Sequence, residues 1–138
     1  MRLRVGFFAS IFFCFSSSVW AQSAASVKDG IFTQVQADKG KGVILDWCAK
    51  CHSANLLGGE NNTPALIGAE FLDKWRNHTI AELFDKMRTT MPVDDPGKLS
   101  RTDYVSALAY ILSVNNFPAG MKPLSGDMKA LGQITITP

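Results

Sequence analysis

Apolar residues along this chain gather into about four helix-like groups, separated by glycine, proline and asparagine. From Thr33 to Trp47, the apolar positions Val35, Val43, Ile44 and Trp47 predict a first helix. Gly40 and Gly42 lie inside it, and each lowers helix propensity by about 1 kcal/mol relative to alanine. Close packing of another helix explains glycine there better than propensity does. Ala69 to Trp75 predicts a short helix carrying Phe71, Leu72 and Trp75. Thr79-Ile80-Ala81-Glu82 has the form of a capping box and opens the next helix, whose Leu83, Phe84 and Met87 share a face. Ser100-Arg101-Thr102-Asp103 is a looser start signal for the last helix, which runs to about Val114 with Tyr104, Leu108, Ile111 and Leu112 inward. Asn115-Asn116 ends it, and Pro118 bars continuation.

The segments between and beyond these groups are of three kinds. Gly58-Gly59-Glu60-Asn61-Asn62-Thr63-Pro64 is a turn-rich loop. From Pro118 onward the chain is rich in glycine and proline, an irregular tail closing on strand-like Ile134-Thr135-Ile136. The start differs from both: Arg2 and Arg4 precede an apolar run, Val5 to Phe15, too short to span a bilayer comfortably. Ser16 to Ser18 and Val19-Trp20-Ala21 follow, which predicts a signal peptide over residues 1–21, cleaved after Ala21. A retained anchor is the competing reading. The remainder divides into an N-terminal extension (22–32), one helical domain (33–117) and the tail (118–138).

Charge and cysteine usage narrow the chemistry. The chain has 14 basic and 12 acidic residues, and loss of Arg2 and Arg4 with the leader makes the rest formally neutral. No basic run marks a nucleic-acid surface. Of the 3 cysteines, Cys14 belongs to the leader, so only Cys48 and Cys51 remain. They bond each other or bind something.

Cys48-Ala49-Lys50-Cys51-His52 has the spacing of covalent c-type haem attachment. Each thiol can add across one porphyrin vinyl group, and His52 then lies under the iron as its proximal ligand. Two other readings compete. A thioredoxin-like dithiol is echoed in Trp47-Cys48-Ala49-Lys50-Cys51, but such a motif belongs after a strand in a βαβ unit, and Val35 to Trp47 lacks strand alternation. A zinc site from Cys48, Cys51, His52 and His78 has enough ligands, yet zinc motifs usually bring a second clustered pair.

With these residues in view, the chain resembles monohaem class I c-type cytochromes from about Val35 to Phe117. The likeness rests on Gly40 ahead of Cys48, the attachment motif, Thr63-Pro64 with Trp75 downstream, and Met91-Pro92 ahead of Ala109-Tyr110-Ile111-Leu112. It implies an all-α cytochrome c fold, about four short helices wrapped around one covalently attached haem c. It also implies a close crossing of first and last helices, where Gly40 meets Tyr110. Asn116-Phe117-Pro118-Ala119-Gly120 extends the resemblance toward small cytochromes that accompany periplasmic quinoprotein dehydrogenases. Ser53 departs from the glycine often found after the histidine, and serine fits if the turn keeps a negative φ.

The same resemblance implies the remaining site residues. Class I cytochromes use a methionine from a later loop as sixth ligand, and His–Met ligation raises the reduction potential. Met91 follows Thr89-Thr90 outside any regular helix, beside a proline that restrains the backbone. Met87 is in register with Leu83 and Phe84 and reads as core, and His78 adjoins a helix cap as an exposed polar residue. The Pro64 carbonyl is the acceptor that would fix the His52 ring, with an ordinary turn proline as the alternative. Trp75 either donates its indole N–H to a haem propionate or simply packs. Arg76 or Arg88 would neutralise a propionate or remain solvated helix charges.

These residues describe a one-electron carrier, or an electron-accepting subunit, rather than an enzyme. There is no nucleophile–base pair, no paired-carboxylate spacing and no phosphate loop. The expected donor is a periplasmic dehydrogenase, the acceptor a cytochrome or oxidase, and the location the periplasm of a Gram-negative bacterium, with no membrane span after cleavage. The rival functions are a haem enzyme or gas sensor with an open distal site, and a thiol–disulfide oxidoreductase.

Overall fold

Reciprocal side-chain caps start the longer helices. Thr33 Oγ1 accepts from the Gln36 N–H at 3.2 Å while Gln36 Oε1 accepts from the Thr33 N–H at 3.3 Å, which opens α1 (Gln34–Trp47). One further turn, α2 (Ala49–His52), follows directly. This is a computed structural model, and it describes residues 25–59 and 62–138. The leader read over residues 1–21 lies outside the described residues, as do Glu60 and Asn61 of the loop.

α3 (Gly68–Trp75) has no side-chain cap of its own at Ile67. The Gly68 N–H donates instead to Asn115 Oδ1 at 3.0 Å. α4 (Ile80–Thr90) carries the expected capping box of Thr79 and Glu82. α5 (Arg101–Val114) starts at Ser100, whose Oγ accepts from the Asp103 N–H at 3.1 Å. Besides a 3-10 turn at Val27–Asp29, the structure adds two α-helical pieces that hydrophobic patterning did not show, α2 and α6 (Met128–Leu131). Both are single turns, too short to display a period.

The crossing of α1 and α5 is the centre of the fold. A Cβ on Gly40 would stand 1.8 Å from the Ser106 carbonyl oxygen and 2.9 Å from Tyr110 Cβ, so the two backbones touch there. Gly42 faces open space, and the packing argument made for it does not hold. Val35, read as an inward position of α1, is 78% exposed; Ala37, Gly40 and Ile44 form the buried stripe. Lys39 and Asp103 close the crossing on the outside at 2.8 Å.

α5 is buried around most of its circumference, from Tyr104 through Leu112 except Tyr110, as expected of a central helix. Tyr104, Leu108, Ile111 and Leu112 are inward as read. Val105, Ala107 and Ala109 are also buried, and the tail accounts for the first: Gly126 sits against Val105 and Arg101, and Arg101 donates to its carbonyl at 2.5 Å.

The two ends of the described chain are stitched together. β1 (Ala25–Ser26) and β2 (Ile134–Thr135) pair in parallel, Ala25 opposite Ile134. The Ile136 N–H donates to the His78 carbonyl at 2.8 Å and the Asn77 N–H to the Ile136 carbonyl at 2.9 Å. Gln36, besides capping α1, holds Leu124 through both of its amide atoms, at 2.9 and 2.7 Å. Val27, Phe32, Leu124, Leu131 and Ile136 all enter the shared core. The extension and tail therefore pack into the same body as residues 33–117, and the tail carries a helix and a strand.

Candidate functional site

Spacing converts the motif into a site through one helical turn. The His52 N–H donates to the Cys48 carbonyl at 2.9 Å and the Cys51 N–H to the same oxygen at 3.1 Å. Positions i, i+3 and i+4 of such a turn lie on one side. All three side chains line a cleft of about 390 Å³ whose apolar wall includes Ile44, Leu66, Phe71, Leu83 and Ile111. His52 is buried, and its Nδ1 lies 2.8 Å from the Pro64 carbonyl oxygen. That acceptor fixes the tautomer with the proton on Nδ1 and leaves Nε2 with a lone pair, the state of a metal ligand.

Pro64, Trp75, Met87 and Met91 line the same cleft. α4 ends at Thr90, so Met91 is the first residue off the helix, with extended backbone. Met87, read as core, is half-buried and faces the cleft as well. Trp75 meets His78 edge-on, ring centroids 5.5 Å apart. His78 is exposed, lies outside the cleft lining and approaches Glu82 at 3.2 Å. The Thr79 N–H, and after it His78, holds the Glu82 carboxyl below the usual carboxylate range.

For the two arginines the solvated alternative fits the geometry. Arg76, just past the end of α3, pairs with Asp73 at 2.6 Å and Arg88 with Asp85 of α4 at 3.0 Å, and neither lines the cleft. Lys74 and Lys86 do, together with Lys50, which is paired with Asp94. Exposed lysines on helices carry no signal that separates them from ordinary solvated charges, so sequence reasoning passed over them. It also missed Asn115, which was read only as a helix terminator. Its amide donates to the Leu66 and Ile111 carbonyls at 2.9 and 2.8 Å, tying the end of α5 to the loop that leads into α3.

The turn after His52 corrects another expectation. Ser53 has φ 65° and ψ 156°, a region populated almost only by glycine and costing about 1–3 kcal/mol for other residues. Its Oγ donates to the Gly58 carbonyl at 2.5 Å, which offsets part of that strain. Ser53→Gly removes strain and hydrogen bond together and is expected to melt within a few degrees of the parent. Ser53→Ala keeps the strain and loses the bond, and should be about 1 kcal/mol less stable. Thermal unfolding of the two variants side by side checks this; alanine equal to glycine would contradict it.

The competing chemistries fit poorly. Burial, and after it the neighbouring Cys51, pushes the Cys48 thiol up to about 11, the opposite of what a nucleophilic dithiol requires. The strands are two residues each and form no βαβ unit among the described residues. No three His, Cys, Asp or Glu side chains converge on a metal position among the described residues, so His78 does not complete a zinc site.

A family model described as cytochrome c oxidase, cbb3-type, subunit III matches residues 35–111. The chain belongs to that family. This monohaem class I c-type cytochrome is also similar in fold to a chain from the crystal structure of the sulfane dehydrogenase SoxCD from Paracoccus pantotrophus. The TM-score is 0.50 at 20% identity, over 98% of this chain and 68% of that one. A comparison with curated proteins finds no match. The cofactor of such a cytochrome is one covalently attached haem c, and the cleft fits it. Two thiols and an imidazole share one turn, Met87 and Met91 line the same cleft, and the remaining lining is largely apolar. No helix among the described residues is long and apolar enough to cross a membrane.

Proposed function

We propose that this cytochrome is a periplasmic one-electron carrier with histidine–methionine axial ligation, taking electrons from a dehydrogenase and passing them to a cytochrome or oxidase. The observation that carries the reading is the shared cleft of Cys48, Cys51, His52 and Met91, with the His52 ring held through Nδ1 by Pro64. When bound, the haem supplies a ferric/ferrous couple that exchanges one electron at a time. Cys48 and Cys51 would fix it covalently, His52 would donate Nε2, and Met91 would donate its thioether. Pro64 keeps the imidazole oriented and basic. Trp75, Lys74 and Lys86 are placed at the cleft to meet the propionates.

With both axial positions filled by side chains, no position is left for a substrate, so the protein does not make or break bonds. The basic start and short apolar run of residues 1–21 support export, and export supports the periplasmic assignment. The residues from Asn116 to Gly120 support a quinoprotein dehydrogenase as donor. The similar fold in the sulfane dehydrogenase SoxCD structure is in keeping with a dehydrogenase as donor.

Exported, mature protein tests the reading. A pyridine haemochrome spectrum should report thioether-linked haem, and the reduced protein should not bind carbon monoxide at neutral pH. Tight binding would favour the open-site enzyme or sensor, and two free thiols without a Soret band the dithiol oxidoreductase. Stopped-flow mixing with a reduced quinoprotein should reduce the haem; no reaction with any such donor counts against the partner assignment.

A further inference from the structure

Both backbone polar groups of Met91 are held from two different helices. Its N–H donates to the Met87 carbonyl at 3.0 Å, the closing bond of α4. Its carbonyl accepts from the Tyr104 hydroxyl at 2.5 Å. Tyr104 stands in the first turn of α5 and is 2% exposed, so water competes little for its phenol. Phe84 of α4 meets that ring edge-on, centroids 6.5 Å apart at 85°, a favourable aromatic geometry that seats it. Tyr104 does not line the cleft. Whatever it does there, it does through the backbone of Met91.

We propose that Tyr104 is a positioning residue that holds the Met91 thioether at the axial position. The inference rests on Met91 being the axial donor. The buried Tyr104 hydroxyl would lose its acceptor, so backbone excursions that carry Met91 away from the cleft break this bond and are disfavoured. α4 alone would not do this, since the Met91 N–H bond fixes only the near side of the residue. Pro92 brings no N–H that could fix the far side. The phenol therefore governs how readily an outside ligand displaces the thioether.

The test uses haem-loaded Tyr104→Phe and reads the affinity of the ferric protein for imidazole, with the long-wavelength methionine–iron absorption as a second readout. The hydroxyl's loss should tighten imidazole binding roughly tenfold, within the range set by one lost hydrogen bond, and weaken the absorption. Tyr110→Phe, at the other of the 2 tyrosines, should match wild type, since a general loosening of α5 would move both. Tyr104→Phe at wild-type affinity overturns the inference. Met91→Ala separates the two claims. If it binds imidazole no tighter than wild type, the ligand assignment fails and the inference with it. If it binds tightly while Tyr104→Phe does not, the inference alone fails. Should Tyr104→Phe not accumulate with haem, fluorotyrosine in the Tyr110→Phe background places a stronger donor at position 104 alone. Weaker imidazole binding is then expected, and unchanged binding overturns the proposal.

Discussion

Alanine at position 40 should lower the melting temperature of the haem-loaded protein by about 10–20 °C, although glycine-to-alanine changes inside helices ordinarily stabilise. The added methyl has nowhere to go: the Ser106 carbonyl oxygen would lie 1.8 Å from it. That obstacle is backbone of the central helix, not the end of a flexible side chain. α1 must therefore move away from α5, opening the packing around Ile44 and Ile111, both of which also wall the cleft. Overpacking of this kind costs typically 1–3 kcal/mol, and a backbone obstacle puts Gly40→Ala at about the upper end. Gly42→Ala is the internal comparison, because its methyl would meet nothing within 4 Å and should gain up to about 1 kcal/mol from propensity. Thermal unfolding of the two variants decides the matter. If Gly40→Ala melts at or above wild type, the helices do not cross as described.

Met91→Ala should lower the reduction potential by on the order of 0.1 V, a fraction of the roughly 0.8 V that axial ligation spans. The thioether is a soft donor that favours the ferrous state; water or hydroxide in its place favours the ferric one. The same change should let the reduced protein bind carbon monoxide. Redox titration with spectra at each potential gives both quantities. Met87 faces the same cleft, but its backbone lies within the regular part of α4, whereas Met91 leaves the helix with extended backbone. If Met87 were the donor, Met87→Ala would show the lowered potential and Met91→Ala would not.

The residues differ in how far their environment could be read from the chain alone. The caps at Thr79 and Ser100 were legible because capping is written within four consecutive residues. The attachment turn was legible for the same reason. Gly40 was read correctly only with the help of the family resemblance, since Gly42 carries an identical local signal and faces solvent. Asn115 and Tyr104 were misjudged or missed because their partners, Leu66 and Met91, are distant in sequence, and periodicity says only that a side chain points inward. Val35 failed for a related reason. Its spacing suits a helix, but it lies off the buried stripe of Ala37, Gly40 and Ile44 and stays exposed. The tail's strand was legible at Ile134-Thr135-Ile136, but its helix was hidden by glycine and proline content, and its pairing with the other end of the chain lies beyond any local signal. Ser53 shows the converse limit: serine was expected to fit on the condition of a negative φ, and its φ is 65°, because the residue type there does not announce the conformation the surrounding turn imposes.

Pairing between Ala25 and Ile134 has a consequence for maturation. A clasp joining the first described strand to the last cannot shut until the chain has emerged as far as Ile134, and contacts so distant in sequence form slowly. The two thiols at 48 and 51 come out long before that. An interval thus exists in which the sulfurs stand ready for modification while the far end of the chain has yet to arrive.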